Sequence, residues 1–219
     1  MKYYLYISDS KVDMLLPQIP LGFKQKASAE FGFDIKVFSA KVSTEVNTLE
    51  DRVRRLNAVT DYIVQTQDMG TIDEPASWIA DTKTVKYGLI GDGTKVTGYI
   101  GKSAETRFLL AGSSAHLVGS PRDGETIGHG FSYVPRLMTY LKSAIEYSEN
   151  DELDEGRLEN YLGKDAGDTK QSNWQQLITD GDYRMTEVTE IEFLAKRLMY
   201  LDGKKKVLLA TPLYVAMVN

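Results

Sequence analysis

Cysteine is absent from the 219 residues of the chain, and histidine occurs only twice. The lack of cysteine excludes disulfide bonds and thiolate metal sites, and it favours a cytoplasmic location. The two histidines, His116 and His129, do not form a helical His-x-x-x-His zinc motif, and no Asp-rich calcium loop is present. We therefore expect no metal site in this protein.

Long apolar runs and excess positive charge are also lacking. No segment approaches the roughly 20 apolar residues of a membrane helix, and the N-terminus is too short and too aromatic for a signal peptide. The net charge is −5, from 26 Lys and Arg against 31 Asp and Glu. Because nucleic-acid binding depends on many phosphate contacts, we do not expect DNA as a partner. Because no apolar run is long enough, we do not expect a membrane as a partner either. A small anionic ligand needs only a local cluster of donors.

The hydrophobic pattern predicts an α+β fold with a mixed, largely antiparallel sheet and about four packing helices. Gly91-Asp-Gly93 predicts a hairpin between strands at 85–90 and 95–100, and the next strand is predicted at Thr106 to Ala111. Helical spacing is clearest over 188–201 and over 49–67, and shorter helices are predicted after Ser10 and Pro135.

The length fits a single domain spanning residues 1–219. The segment at about 149–170 is rich in acids and glycine and contains few large apolar residues, which is typical of a surface insertion.

The most informative stretch runs from Arg107 to Gly119, where a buried strand ends at Gly112 and is followed by Ser113, Ser114 and His116. A strand end can hold side chains rigidly while leaving them accessible. The turn after it can aim backbone N–H groups at an anion, and histidine is the side chain best matched to proton transfer near neutral pH. A helix cap and a structural histidine are the alternative interpretation of the same residues.

A second candidate anion site lies at the junction between the first strand and the helix after it, where Ser8 and Lys11 stand; a loop with ordinary caps is the alternative. His129 lies between two glycines and competes with His116 as the proton-transfer group, unless it is an ordinary exposed loop residue. The chain has no Walker lysine loop, no dinucleotide fingerprint and no Gly-x-Ser-x-Gly elbow, so we expect no cofactor.

Three segments together resemble an uncharacterised bacterial family. They are Tyr-Ile-Ser-Asp-Ser-Lys-Val-Asp-Met-Leu-Leu-Pro-Gln-Ile-Pro at 6–20, Ala-Gly-Ser-Ser-Ala-His-Leu-Val-Gly at 111–119 and Thr-Pro-Leu-Tyr-Val-Ala at 211–216. This family resembles the ring nucleases, which open cyclic oligoadenylate second messengers of type III CRISPR immunity. Such enzymes act for the host or, as anti-CRISPR proteins, for a mobile element. The family pattern has Gly-Gly-Ser before the histidine, whereas this chain has Ala111-Gly-Ser.

The resemblance implies a metal-independent ring nuclease, in which a ribose 2′-hydroxyl attacks the adjacent phosphate. It implies His116 and Ser113 as catalytic residues. Ser8, Lys11, Arg107, Gly112 and Ser114 are then the substrate-binding residues. Binding of a symmetric ligand further implies a homodimer. Two alternatives stay open, a non-catalytic binder of the same messenger and an interaction module of a defence complex.

Overall fold

The computed structural model describes residues 2–23, 49–90, 96–119, 188–203 and 206–218. The strands are β1 (Tyr3–Ile7), β2 (Met69–Gly70), β3 (Trp78–Ile90), β4 (Val96–Ser103), β5 (Thr106–Ser113), β6 (Thr189–Asp202) and β7 (Lys206–Met217). The helices are α1 (Asp9–Leu15) and α2 (Leu49–Thr66), and 3-10 turns lie at Leu16–Gln18 and Ser114–His116.

Five of the strands close into a barrel in the order β3, β4, β5, β7, β6 and back to β3. Neighbours in this circuit are antiparallel except β5 and β7, which are parallel. Strand β1 adds to β7 in antiparallel orientation, and β2 adds to β3 in parallel orientation. Strands make up 53% of the described residues, and α-helical residues there are confined to α1, α2 and residues 21–23. The predicted α+β fold with about four packing helices is therefore wrong, and the described part of the chain is mostly sheet.

Alternate residues of each barrel strand point to the interior, and in this protein those residues are apolar. On β5 these are Phe108 and Leu110, and on β6 they are Ile191, Phe193 and Ala195. Tyr99 of β4 is fully buried in the same cluster. This packed centre holds the strand ends in fixed positions.

The two helices cover the outer face of the sheet where β1, β6 and β7 meet. Apolar residues of α2 pack with Trp78, Leu194 and Tyr214 from this face, and Val12 of α1 belongs to the same cluster. An ion pair between Arg55 and Asp13 joins the two helices. None of the helices in the described ranges combines the length and apolarity that a membrane span requires.

The helix predicted over 188–201 is wrong, because these residues form β6. Strand β6 buries Ile191, Phe193 and Ala195 in the barrel and Leu194 beneath the helices. Covering both faces requires apolar residues at odd and even positions, which removes the two-residue alternation of a half-exposed strand. The remaining apolar residues happened to match helical spacing.

Local signals were more reliable elsewhere. The helix predicted over 49–67 is confirmed by α2, the short helix near Ser10 by α1, and the hairpin with its following strand by β3, β4 and β5. The predicted helix after Pro135 and the acidic segment at 149–170 lie outside the described residues. The assignment of residues 1–219 to a single domain stays a prediction.

The packing between β4 and β5 can be tested at Gly101. A Cβ atom on Gly101 would lie 2.5 Å from Phe108 Cζ and 2.8 Å from the backbone oxygen of Thr84. We therefore expect Gly101→Ala to lower the free energy of unfolding by about 1–3 kcal/mol, measured by urea denaturation. The control is Gly22→Ala, because a Cβ atom there meets nothing within 4 Å. Equal stabilities of the two variants would contradict the packing.

Candidate functional site

The candidate site lies where β7 changes its neighbour. Along one edge, β7 pairs with β5 up to Ala210 and with β1 from Tyr214 onward. The intervening Thr211, Pro212 and Leu213 pair with neither strand, and Pro212 has no N–H group to donate. On the other edge Leu213 is the extra residue of a bulge against β6. The proline that interrupts the apolar run therefore marks a bulge, one of the outcomes expected for it in a strand.

We call the unpaired stretch Thr211–Leu213 of β7 the fork. Strands β1 and β5 both reach the fork with their carboxyl ends, since β1 runs antiparallel and β5 parallel to β7. The chain after β5 then turns onto β1, where Leu117 forms a bridge with Tyr6 and the Val118 N–H group donates to the Leu5 oxygen at 2.9 Å. Parts of all three segments that carry the family resemblance, at 6–20, 111–119 and 211–216, thus meet at the fork. Ligands of open sheets bind at comparable switch points.

His116 is buried at the fork, with 7% of its surface exposed. Its Nε2 atom lies 3.0 Å from the Ser10 hydroxyl oxygen on α1. The Tyr6 ring packs edge-on against the imidazole, with ring centroids 5.9 Å apart. A histidine confined in this way presents one nitrogen to the hydroxyl group of an exposed residue.

The other nitrogen of His116 faces a carboxylate. Asp9 Oδ2 lies 3.8 Å from His116 Nδ1, which is an ion-pair distance when the ring is protonated. Arg52 of α2 fixes this carboxylate by donating from Nε to Asp9 Oδ1 at 2.9 Å, and its Nη2 donates to the Ile7 oxygen at 3.3 Å. Burial alone would raise the pKa of Asp9, but His116 and Arg52 outweigh it and hold that pKa below its usual range. Asp9 therefore stays ionised beside the histidine.

Lys11 is the cation of the site. Its Nζ atom donates to the Pro212 oxygen at 2.9 Å and to the Ser8 hydroxyl at 3.3 Å. Both acceptors are neutral, and burial lowers the pKa of Lys11 to about 8. An anionic ligand would supply the opposite charge that these two contacts lack.

Tyr6 and Gly112 pack against each other beneath the site. Tyr6 is fully buried, and its hydroxyl has no hydrogen-bond partner in the described part of the chain, although Ser8 and Ser113 are polar neighbours. Burial raises the pKa of Tyr6 to about 12. A Cβ atom on Gly112 would lie 2.3 Å from this hydroxyl oxygen, so a glycine is needed here for the tyrosine.

The structure brings together only some of the residues predicted for the site. Ser8 and Lys11 contact each other at the fork, where Lys11 also contacts Pro212, and His116 contacts Ser10 of the same helix as Lys11. Ser113 is exposed, and its hydroxyl accepts a hydrogen bond from the Ala115 N–H group at 3.4 Å, as a helix cap does. Ser114 follows in that 3-10 turn, where its backbone oxygen accepts from the Leu117 N–H group at 3.1 Å.

Two further predicted residues lie elsewhere. Arg107 is near the start of β5, where it pairs with Lys102 and Val207. A strand rises about 3.3 Å per residue, so Arg107 lies about 20 Å along β5 from Ser113. His129 is outside the described residues.

Sequence reasoning missed the residues that orient His116. Ser10 was predicted to cap a helix, but α1 already begins at Asp9 and leaves the Ser10 hydroxyl to the histidine. Arg52 belongs to a basic run typical of a solvated face, yet it is 9% exposed and binds Asp9. The strand-to-helix junction at Ser8–Lys11 was the one available signal.

Chemically, this arrangement can move a proton and stabilise a negative charge. His116 can take a proton from a hydroxyl group at Nε2 while Asp9 stabilises the resulting imidazolium. Lys11 can stabilise charge on a phosphoryl or carbonyl oxygen. The site therefore contains the elements of acid–base catalysis at an ester.

Comparison with known proteins yields a family and no assigned activity. No curated protein matches the chain, and no solved structure matches it. The model of one family, described as a family of unknown function (DUF7019), matches residues 2–219. Because this match covers nearly the whole chain, the protein belongs to the DUF7019 family.

Proposed function

We propose that the protein is a metal-independent ring nuclease that opens cyclic oligoadenylates at the fork of β7. The observation that carries the proposal is the orientation of His116, whose Nε2 atom faces a hydroxyl at 3.0 Å while Asp9 lies beside Nδ1. A reaction that begins by removing a proton from a hydroxyl needs this arrangement.

In the proposed reaction His116 takes the proton of a ribose 2′-hydroxyl. The 2′-oxygen forms a bond to the adjacent phosphorus, and the bond from phosphorus to the 5′-oxygen breaks. The 5′-oxygen takes up a proton from water, and the resulting hydroxide takes the proton from His116, so that the base is restored. The products are a 2′,3′-cyclic phosphate and a 5′-hydroxyl. The attacking hydroxyl would take the place of the Ser10 hydroxyl at His116 Nε2.

Lys11 supports a phosphate ligand in this scheme. The contacts of its ammonium group within the described residues are to two neutral oxygens. The positive charge of Arg52, in contrast, is balanced by Asp9. A phosphate near Lys11 would therefore meet a positive charge that no carboxylate of the described residues has neutralised, which favours binding of an anion.

A ring of identical nucleotides has rotational symmetry, and a twofold axis between two protomers is the simplest way to match it. The proposal therefore includes a homodimer in which each protomer contributes one fork. A non-catalytic binder would use the same contacts and leave the ring intact.

Replacement of His116 tests the reaction directly. Purified protein is incubated with cyclic tri-, tetra- and hexa-adenylate in EDTA, and products are identified by chromatography and mass. We expect linear products with a 2′,3′-cyclic phosphate end, formed about 10²–10⁴-fold more slowly by His116→Ala, because the general base is lost.

The matched variant for this test is His129→Ala, which removes the other histidine. Full activity of a folded His116→Ala protein, or loss in His129→Ala alone, would contradict the assignment. Intact rings recovered from a tight complex would identify a binder, and a co-purifying protein without ring binding would favour an interaction module.

The charge of Lys11 gives the reaction a defined pH dependence. Burial lowers the pKa of Lys11 to about 8, so the ammonium is present below that pH and is lost above it. If the ammonium stabilises the phosphoryl oxygens, kcat/KM for ring opening should decrease as pH rises through about 8, since kcat/KM reports the free enzyme. In Lys11→Arg the decrease should move to higher pH, because arginine keeps its charge. The same profile in both proteins would show that Lys11 is not the cation.

A further inference from the structure

Ser10, His116 and Asp9 stand in the order of a nucleophile, its base and the group that orients the base. The Ser10 oxygen lies 3.0 Å from His116 Nε2, and Asp9 Oδ2 lies 3.8 Å from Nδ1 on the opposite side of the ring. This order defines an activated serine, and the distances within such sites are often longer before a substrate binds.

The surroundings match the three roles. Ser10 is an exposed residue, whereas His116 is buried and supported by the Tyr6 ring. The Asp9 carboxylate is held by Arg52, which prevents it from turning away. Ser10 is the second residue of α1, a position that does not require its hydroxyl for capping.

We propose that Ser10 is the nucleophile of a second activity of this site, the hydrolysis of carboxylic esters through a covalent acyl-serine. This inference goes beyond the ring nuclease, because the attacking oxygen comes from the protein and not from the substrate. Each of the two proposals can therefore be correct without the other.

The reaction balances without a co-reactant other than water. The Ser10 proton moves to His116, the Ser10 oxygen bonds to the carbonyl carbon, and the bond from that carbon to the alcohol oxygen breaks. The alcohol leaves with the proton from His116. Water, deprotonated by His116, then attacks the acyl group, and the carboxylic acid is released as Ser10 regains its proton.

An uncharged ester fits this position better than a charged phosphate. Asp9 is adjacent to Ser10 in the chain and stays ionised, so an anionic group held against the Ser10 oxygen would meet its negative charge. A carboxylic ester becomes negative only when its carbonyl oxygen accepts the electron pair. At that stage the ammonium of Lys11, the next residue of α1 after Ser10, is the candidate group to stabilise the oxyanion.

A fluorophosphonate carrying a fluorescent reporter tests the proposal, because such reagents modify activated serines covalently. The full-length protein is treated with the reagent, and the modified peptide is identified by mass spectrometry. We expect one label per chain on Ser10, no label in Ser10→Ala, and labelling about 10²–10⁴-fold slower in His116→Gln. The matched control is Ser103→Ala, since the Ser103 hydroxyl lies 2.5 Å from the Asp73 carboxylate and has no histidine contact among the described residues.

The same proteins are then given p-nitrophenyl acetate. The wild type should release about one equivalent of p-nitrophenol in a burst, followed by slower turnover, and Ser10→Ala should show neither. Absence of labelling, or a label on another serine, overturns the proposal. Ring opening by a wild-type protein that is not labelled overturns this inference alone, whereas labelling of Ser10 without ring opening overturns only the ring nuclease.

Discussion

The structure depends on the backbone of β7 at Thr211–Leu213, where one strand edge serves two neighbours. Pro212 cannot donate a ladder hydrogen bond. Along the same edge of β7, β5 pairs before this residue and β1 pairs after it. The carbonyl groups in the gap still require donors. The Ser8 N–H group supplies one for Leu213 and the Lys11 ammonium supplies one for Pro212. The interruption of the sheet thereby fixes the residues that follow β1, and those residues carry the polar chemistry of the site.

The two cations at the fork, the buried Arg52 and the half-buried Lys11, have different surroundings. Arg52 faces Asp9, and the pair leaves little net charge. Lys11 contacts neutral oxygens only among the described residues, and its lowered pKa shows that the fold disfavours the ammonium form. Binding of an anion beside Lys11 would reverse that preference and raise the pKa. A negatively charged ligand beside Lys11 would therefore stabilise the ammonium form.

The sequence predicted those parts of the structure that rest on local interactions. Helix α2 and the hairpin of β3 and β4 follow from spacing and turn residues within short windows. Strand β6 could not be recognised, because burial on both faces hides its alternation. The site was recognisable from the sequence only in part. His116 and Lys11 each follow a strand that the hydrophobic pattern predicts. The contact between Ser10 and His116 joins residues that are 106 positions apart, and it exists only because β1 and β5 converge on β7. Local patterns contain no information about such a pairing.

The position of His116 couples the chemistry of the site to the register of β1 against β7. Its segment is tied to β1 by the bridge between Tyr6 and Leu117 and by the hydrogen bond from Val118 to Leu5. The extra residue of the bulge between β1 and β7 is Leu5, whose oxygen is the acceptor of that bond. A register change in β1 would therefore break these two contacts and displace Ser10, Asp9 and the Tyr6 ring relative to β5, which precedes the histidine. In both proposed reactions, with a ribose hydroxyl or with Ser10 as the attacking group, the position of His116 as proton acceptor depends on this strand register. The position of His116 relative to Ser10 and Asp9 is thus determined by the pairing of β1, β5 and β7, and not by the turn that contains the histidine alone.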